Sequence, residues 1–201
     1  MKVCWGLCAI VGMISAVSSF GAEPAQYWGP SQRAGRMEVF LEGSLYTKGS
    51  SDSDIAGTSG SLDLASSGTG GLGLGVNFGP YVNLNGDFSG GPAKITVNQG
   101  FPSRTFDDVT LLSGVGHLDI YPINGPLTPV ISGGAGIVHT HSSEGDTGET
   151  DLTYDVGGGV RWDINKQFML KALYRARWIS FKDTQNDMLQ HTFWLQAGFK
   201  F

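Results

Sequence analysis

The chain has 201 residues, of which 31 are Gly and 15% are charged, with a formal net charge of -5. That length holds a leader and one ordinary domain, and an acidic balance with no Lys/Arg cluster argues against a nucleic-acid partner. Its two cysteines, Cys4 and Cys8, both lie within the first ten residues, so the rest of the chain offers neither a disulfide nor a thiolate ligand for a metal.

Lys2, an apolar run over residues 3–14 and small residues over 15–22 form a secretory signal too short to span a bilayer as a helix. Cleavage is expected after Gly21, with Ser19 at the minus-three position, which makes residues 1–21 a signal peptide and leaves a net charge of about -6 once Lys2 is lost. Residues 22–35 carry Pro24, Tyr27, Trp28 and Pro30 without periodicity and lead into a single domain over residues 36–201.

From there the chain alternates with period two. Over 37–46, Met37, Val39, Leu41 and Leu45 share one face and Glu38, Phe40, Glu42, Ser44 and Tyr46 the other. Residues 47–70, rich in Ser, Gly, Thr and Asp, read as a long exposed loop. Leu72, Leu74, Val76 and Phe78 mark a second strand, Gly79-Pro80 a tight turn, and Val82, Leu84, Gly86 and Phe88 a third strand against Tyr81, Asn83, Asn85 and Asp87. A second long loop is expected over 89–106. The fourth strand, 109–120, sets Ser113, His117 and Asp119 inward and is followed by a turn over 121–126. The fifth sets Leu127, Pro129, Ile131, Ala135 and Ile137 outward, and 139–151 is a third polar loop.

The clearest signal is a hairpin over 152–178, turning at Asn165-Lys166. Leu152, Tyr154, Val156, Val160 and Trp162 oppose Thr153, Asp155, Arg161 and Asp163; then Phe168, Leu170, Ala172, Tyr174, Ala176 and Trp178 oppose Lys171, Arg175 and Arg177. Aromatic rings bracket an aliphatic middle, as on strands that face lipid. After a fourth loop at 182–187, the last strand sets Phe193, Leu195, Ala197, Phe199 and Phe201 outward. Long and short connections alternate, so one rim carries every long loop. The reading is all-β: an eight-stranded antiparallel up-and-down transmembrane β-barrel, closed because an open sheet edge is not tolerated in hydrocarbon.

Residues 155–163 (DVGGGVRWD), 170–178 (LKALYRARW) and the closing 193–201 (FWLQAGFKF) resemble the small eight-stranded outer-membrane barrels typified by the OmpA transmembrane domain and OmpX. The resemblance implies residence in the outer membrane among lipid and lipopolysaccharide. It also implies that Phe193, Leu195, Phe199 and Phe201 are read by the barrel-assembly machinery.

The expected lumen holds Glu38, Glu42, Asp87, Asp119, Asp155 and Asp163 against Arg161, Lys171, Arg175, Arg177 and Lys200. Eight strands leave an interior that its own side chains fill, so these charges must pair. Asp155 is expected beside Arg177, and Glu38 beside Lys200. His117 within and His191 without read as packing residues, and the glycines at 70–75 and 157–159 as room for neighbouring side chains. His139, His141, Glu144, Asp146, Glu149 and Asp151 show no recurring ligand spacing, so no metal site is expected, nor any cofactor. His141 with Ser143 resembles the His-x-Ser pair of lipid A deacylase barrels, where base and nucleophile cleave a lipid ester. The flanking aromatic and Asn residues of that motif are missing, and Glu149 is the nearest downstream Glu.

These readings converge on a non-enzymatic envelope barrel with a polar, filled lumen and four exposed loops, 47–70, 89–106, 139–151 and 182–187, through which an extracellular ligand would be met. The competing readings are a narrow pore for small solutes or ions, a lipid hydrolase, and a soluble lipocalin-like barrel with the two faces exchanged.

Overall fold

The computed structural model describes residues 33–47, 49–55, 58–65, 67–98, 104–142, 149–180 and 187–201. Residues 1–32, which hold the expected signal peptide and most of the expected leader, lie outside the described residues. Ten strands follow in order: β1 (Met37–Tyr46), β2 (Gly49–Ile55), β3 (Thr58–Leu64), β4 (Ser67–Phe78), β5 (Val82–Asn98), β6 (Arg104–Ile120), β7 (Leu127–Ser142), β8 (Glu149–Asp163), β9 (Phe168–Ser180) and β10 (Met188–Lys200). Eight of them, β1 and β4 to β10, are the staves of a closed antiparallel barrel, each paired with its neighbours. Closure runs through β1 and β10, from Glu38↔Lys200 to Tyr46↔Thr192. The seam is finished by reciprocal backbone bonds between Met37 and Phe201 at 3.0 and 3.1 Å.

The short connections are built as their sequences require. Gly79 takes a positive φ of 77° in the turn between β4 and β5, a conformation open to glycine at no steric cost. At the β8–β9 turn the Asn165 side chain accepts from the backbone N–H groups of Gln167 and Phe168, both at 2.8 Å, the Asx arrangement that makes Asn a turn residue. Tyr81, read as part of the inward face, sits instead in the β4–β5 turn and is exposed.

The orientation is apolar-out. Along β1 exposed and buried residues alternate without a break, Leu41 and Leu45 outside, Glu38 and Glu42 inside. Val160 and Tyr174 are about two-fifths exposed while Arg175 is fully buried, which removes the lipocalin-like arrangement.

Three loops that the sequence suggested are shorter than expected. Residues 47–70 contain the β2–β3 hairpin. It joins the wall above β1 and β4 by four residue pairs to β5 and one to β10. β5 runs on to Asn98, β6 starts at Arg104, β7 reaches Ser142 and β8 starts at Glu149. Hydropathy reports what a side chain touches; above the bilayer neither face needs to be apolar, yet the backbone ladder continues wherever a neighbouring stave supplies partners. The rim is therefore uneven. The β5–β6 ladder rises to Val97↔Arg104, whereas β9–β10 ends at Met188↔Ile179.

Candidate functional site: the lumen

The inside of the barrel is a column of charged and amide side chains that inward alternation on every stave brings together. At the short-turn end Asp163 carries three cations: Lys200 Nζ at 2.7 Å, Arg161 Nε at 3.1 Å and Arg33 Nε at 3.3 Å. Arg33 comes from the leader and is buried. It donates to the Gly125 carbonyl at 2.8 Å and to Thr128 Oγ1 at 2.7 Å, and its guanidinium lies 4.6 Å from the Tyr121 ring centre. Burial raises the Tyr121 hydroxyl above the usual phenol range, so it stays neutral, and its oxygen accepts from the Arg161 guanidinium.

The next layer is centred on Arg161, whose Nη2 meets Glu38 Oε2 at 2.8 Å while Nη1 bonds Tyr121 Oη at 2.9 Å. Asn77 and Asn83 each donate to Glu38 at 3.1 Å. Above it, Lys171 Nζ and Asn85 share Asp119 Oδ2 at 2.7 and 3.0 Å. Higher still, His117 stands between two carboxylates. Its Nδ1 is 2.9 Å from Asp87 Oδ2 and its Nε2 is 3.1 Å from Asp155 Oδ2. Asp155 is also 3.3 Å from Arg177 Nη2 and 4.0 Å from Arg175 Nε, and the two guanidinium groups lie 5.2 Å (Arg177) and 5.5 Å (Arg175) from the Trp194 ring centre. Glu42 accepts from Gln196 at 2.9 Å. The column ends in an apolar cluster of Tyr46, Ala93, Val109, Ile179 and Met188 at the long-loop end.

All eleven charged residues expected in the lumen are buried. Asp155 meets Arg177 as the hairpin register requires, with Cα partners Asp155↔Arg177. Lys200 is likewise opposite Glu38, but its ammonium goes to Asp163 and Glu38 takes Arg161. The correction is one of reach: strand register fixes Cα positions, and a long side chain selects among the carboxylates of several staves. His117, read as a packing residue, is fully buried with a carboxylate oxygen of Asp87 and one of Asp155 within 3.1 Å of its two ring nitrogens. Arg33 carried no sequence signal, because no periodicity reaches into the leader.

Glycines make the column fit. A Cβ on Gly134 would fall 2.2 Å from His117 Cδ2, and one on Gly73 would fall 2.3 Å from the Phe40 ring. Outside, His191 is stacked on Tyr174 with 5.8 Å between ring centres, and the Tyr174 hydroxyl is 2.8 Å from His191 Nδ1. At the rim His141 and Glu149 are exposed, paired along the ladder with Thr110 and Thr140, and Ser143 lies outside the described residues.

A closed antiparallel wall with lipid-compatible residues outside and ion pairs inside defines a transmembrane β-barrel of outer-membrane type. Residues 13–201 match the outer membrane protein beta-barrel domain, and the chain belongs to that family. Among solved structures, the chain is similar to Neisserial surface protein A (NspA) at 16% identity and a TM-score of 0.55, over 86% of this chain and 99% of that one. It is similar to OprG from Pseudomonas aeruginosa at 16% identity and a TM-score of 0.53, over 84% and 97%. The N-terminal β-barrel domain of Pseudomonas aeruginosa OprF aligns at 16% identity and a TM-score of 0.51, over 84% and 98%. At such identities the likeness concerns the fold. No curated protein matches the sequence.

Proposed function

We propose that this outer-membrane barrel is a non-enzymatic envelope component whose lumen is a seal and whose contacts with the outside are made by the long-loop rim. The observation that carries this reading is the continuity of the buried column from Arg33 at one mouth to Arg177 near the other, where each described cation has an acidic or aromatic neighbour. A permanently hydrated pore would leave such side chains solvated, whereas Arg161, Lys171, Arg175 and Lys200 are fully buried. Buried charges paired this way hold the staves in one arrangement, because removing either partner strands the other. On the same reading the exposed stripe Phe193, Leu195, Phe199 and Phe201 is the segment offered to the barrel-assembly machinery, and lipid with lipopolysaccharide covers the outer band. Planar-bilayer recording from the refolded full chain tests the seal: the expected result is no unitary current above leak near neutral pH, and a steady open channel would overturn it.

A further inference from the structure

The lipid-facing wall of an outer-membrane barrel is apolar between its aromatic girdles, and on β10 that band is interrupted by an imidazole. His191 points outward opposite Ala176, two residues nearer the strand centre than Leu189, whose row includes the stacked Tyr154 and Trp178. At about 3.3 Å per residue and a tilt near 40°, it lies roughly 5 Å deeper than Leu189. An ionisable group at membrane depth marks a functional position by default. Its partner is the Tyr174 hydroxyl, 2.8 Å from Nδ1, with the two rings stacked. An uncharged imidazole and a phenol carry two polar hydrogens between them, and the shared bond uses one. Whichever ring supplies it, one donor is left over, and among the described residues no hydrogen bond takes it up. An unused donor facing hydrocarbon is costly.

Directly below the pair the wall is hollow. Gly43, Gly158 and Ala172 leave a shallow, almost wholly apolar groove of about 770 Å³, flanked by Leu45, Phe193 and Leu195. Tyr174 lines the same groove and stands between it and His191. A spare donor above and an apolar groove below match the two parts of a fatty acyl group: a carbonyl oxygen that accepts the hydrogen and a chain that lies against glycine and alanine. We propose that the groove seats one acyl chain of lipid A, the lipid of lipopolysaccharide, whose ester or amide carbonyl accepts from the Tyr174–His191 pair. Lipid A is the occupant because His191 sits in the half of β10 next to the long loops, the side that faces outward in barrels of this type. The inference rests on the reading that lipid with lipopolysaccharide covers the outer band, and it turns general coverage into one held molecule.

The full chain, refolded in phosphatidylcholine vesicles containing a minor share of lipid A, is extracted into detergent, and its retained lipid is counted by native mass spectrometry. One lipid A per barrel is expected, enriched over its share of the vesicle. His191→Phe keeps a ring and removes the donor, while Gly43→Leu fills the groove from a position where a new Cβ meets nothing closer than 4.0 Å. Each should lower retention about tenfold, the scale on which one unmatched donor counts. Gly116→Leu makes the same addition on the outer face of β6 and should leave retention unchanged. Lipid A should also shift the His191 ring-nitrogen signals in NMR of the unaltered protein, which decides the matter if a variant does not fold. Retention in proportion to vesicle composition, enrichment of phosphatidylcholine instead, an equal loss in Gly116→Leu, retention untouched by His191→Phe and Gly43→Leu, or ring signals that ignore lipid A would each overturn the site. If Leu195→Lys still weakens folding into the vesicles, the site alone has failed; if that change is also without effect, the lipid-facing reading fails with it.

Discussion

Lys200 is the backbone partner of Glu38 across the closing seam, yet its ammonium reaches Asp163, 2.7 Å away on another stave. The closure of the barrel is therefore tied to the β8–β9 hairpin and, through Arg33, to the leader, all on one carboxylate. Asp163→Asn should destabilise the folded barrel by about 3–5 kcal/mol, the cost of leaving buried cations without their counter-charge. Lys200→Met should cost less, since Asp163 keeps Arg161 and Arg33. Urea unfolding in lipid vesicles measures both.

Arg161 and Glu38 offer a cleaner pair. Either Arg161→Met or Glu38→Gln strands a buried charge and should cost about 3–5 kcal/mol, while the double variant should recover a substantial part of that loss. Additive single costs in the same unfolding assay would mean the two groups do not depend on each other.

Glycines inside the wall should be far less replaceable than those outside it. Gly134→Ala puts a methyl 2.2 Å from His117 Cδ2 and 2.9 Å from the Gly116 carbonyl, whereas on Gly116 the nearest atom to a new Cβ is 3.9 Å away. Overpacking of this kind costs about 1–3 kcal/mol. Gly134→Ala should lower the temperature at which the heat-modifiable band is lost, and Gly116→Ala should leave it nearly unchanged.

The outer face makes its own demand. Leu195 is 61% exposed on the lipid-facing side of β10, near the middle of its strand. Leu195→Lys should cost about 2–4 kcal/mol, as charges do near the bilayer midplane. Equilibrium folding into thin-bilayer vesicles would report the difference, and an unchanged free energy would place this face away from lipid.

At the long-loop rim the Tyr154 hydroxyl donates to the Asp187 carboxylate, tying β8 to the segment entering β10. That bond, with a second from Ser180, holds the Asp187 carboxyl below the usual aspartate range. A depressed carboxyl contributes stability above its unfolded value and loses it as pH falls through the folded one. Acidification past the ordinary aspartate range should accordingly speed amide exchange at the start of β10, and Tyr154→Phe should make that speeding appear at higher pH.

The staves were legible because lipid outside and ions inside impose period two along each membrane-crossing strand, and the eleven charged lumen positions follow from which parity they occupy. Side-chain partnership was legible only where register alone decides it, as for Asp155 and Arg177. Lys200 escaped because four methylenes let it pass its nearest neighbour. His117 escaped because a lone inward histidine looks the same in sequence whether it packs or bridges two acids brought from β5 and β8. The β2–β3 hairpin escaped because its Ser, Thr and Asp residues carry no burial signal, although their backbone completes the wall.

That wall has unequal height. At about 3.3 Å per residue and a tilt near 40°, the 17 residues of β5 climb roughly 10 Å farther than the 13 of β9. A visitor approaching from outside thus meets a parapet on one flank and a low sill on the other. The described strand ends therefore slope from β5 and β6 down to β9 and β10, which makes the exterior lopsided before any loop residue is considered.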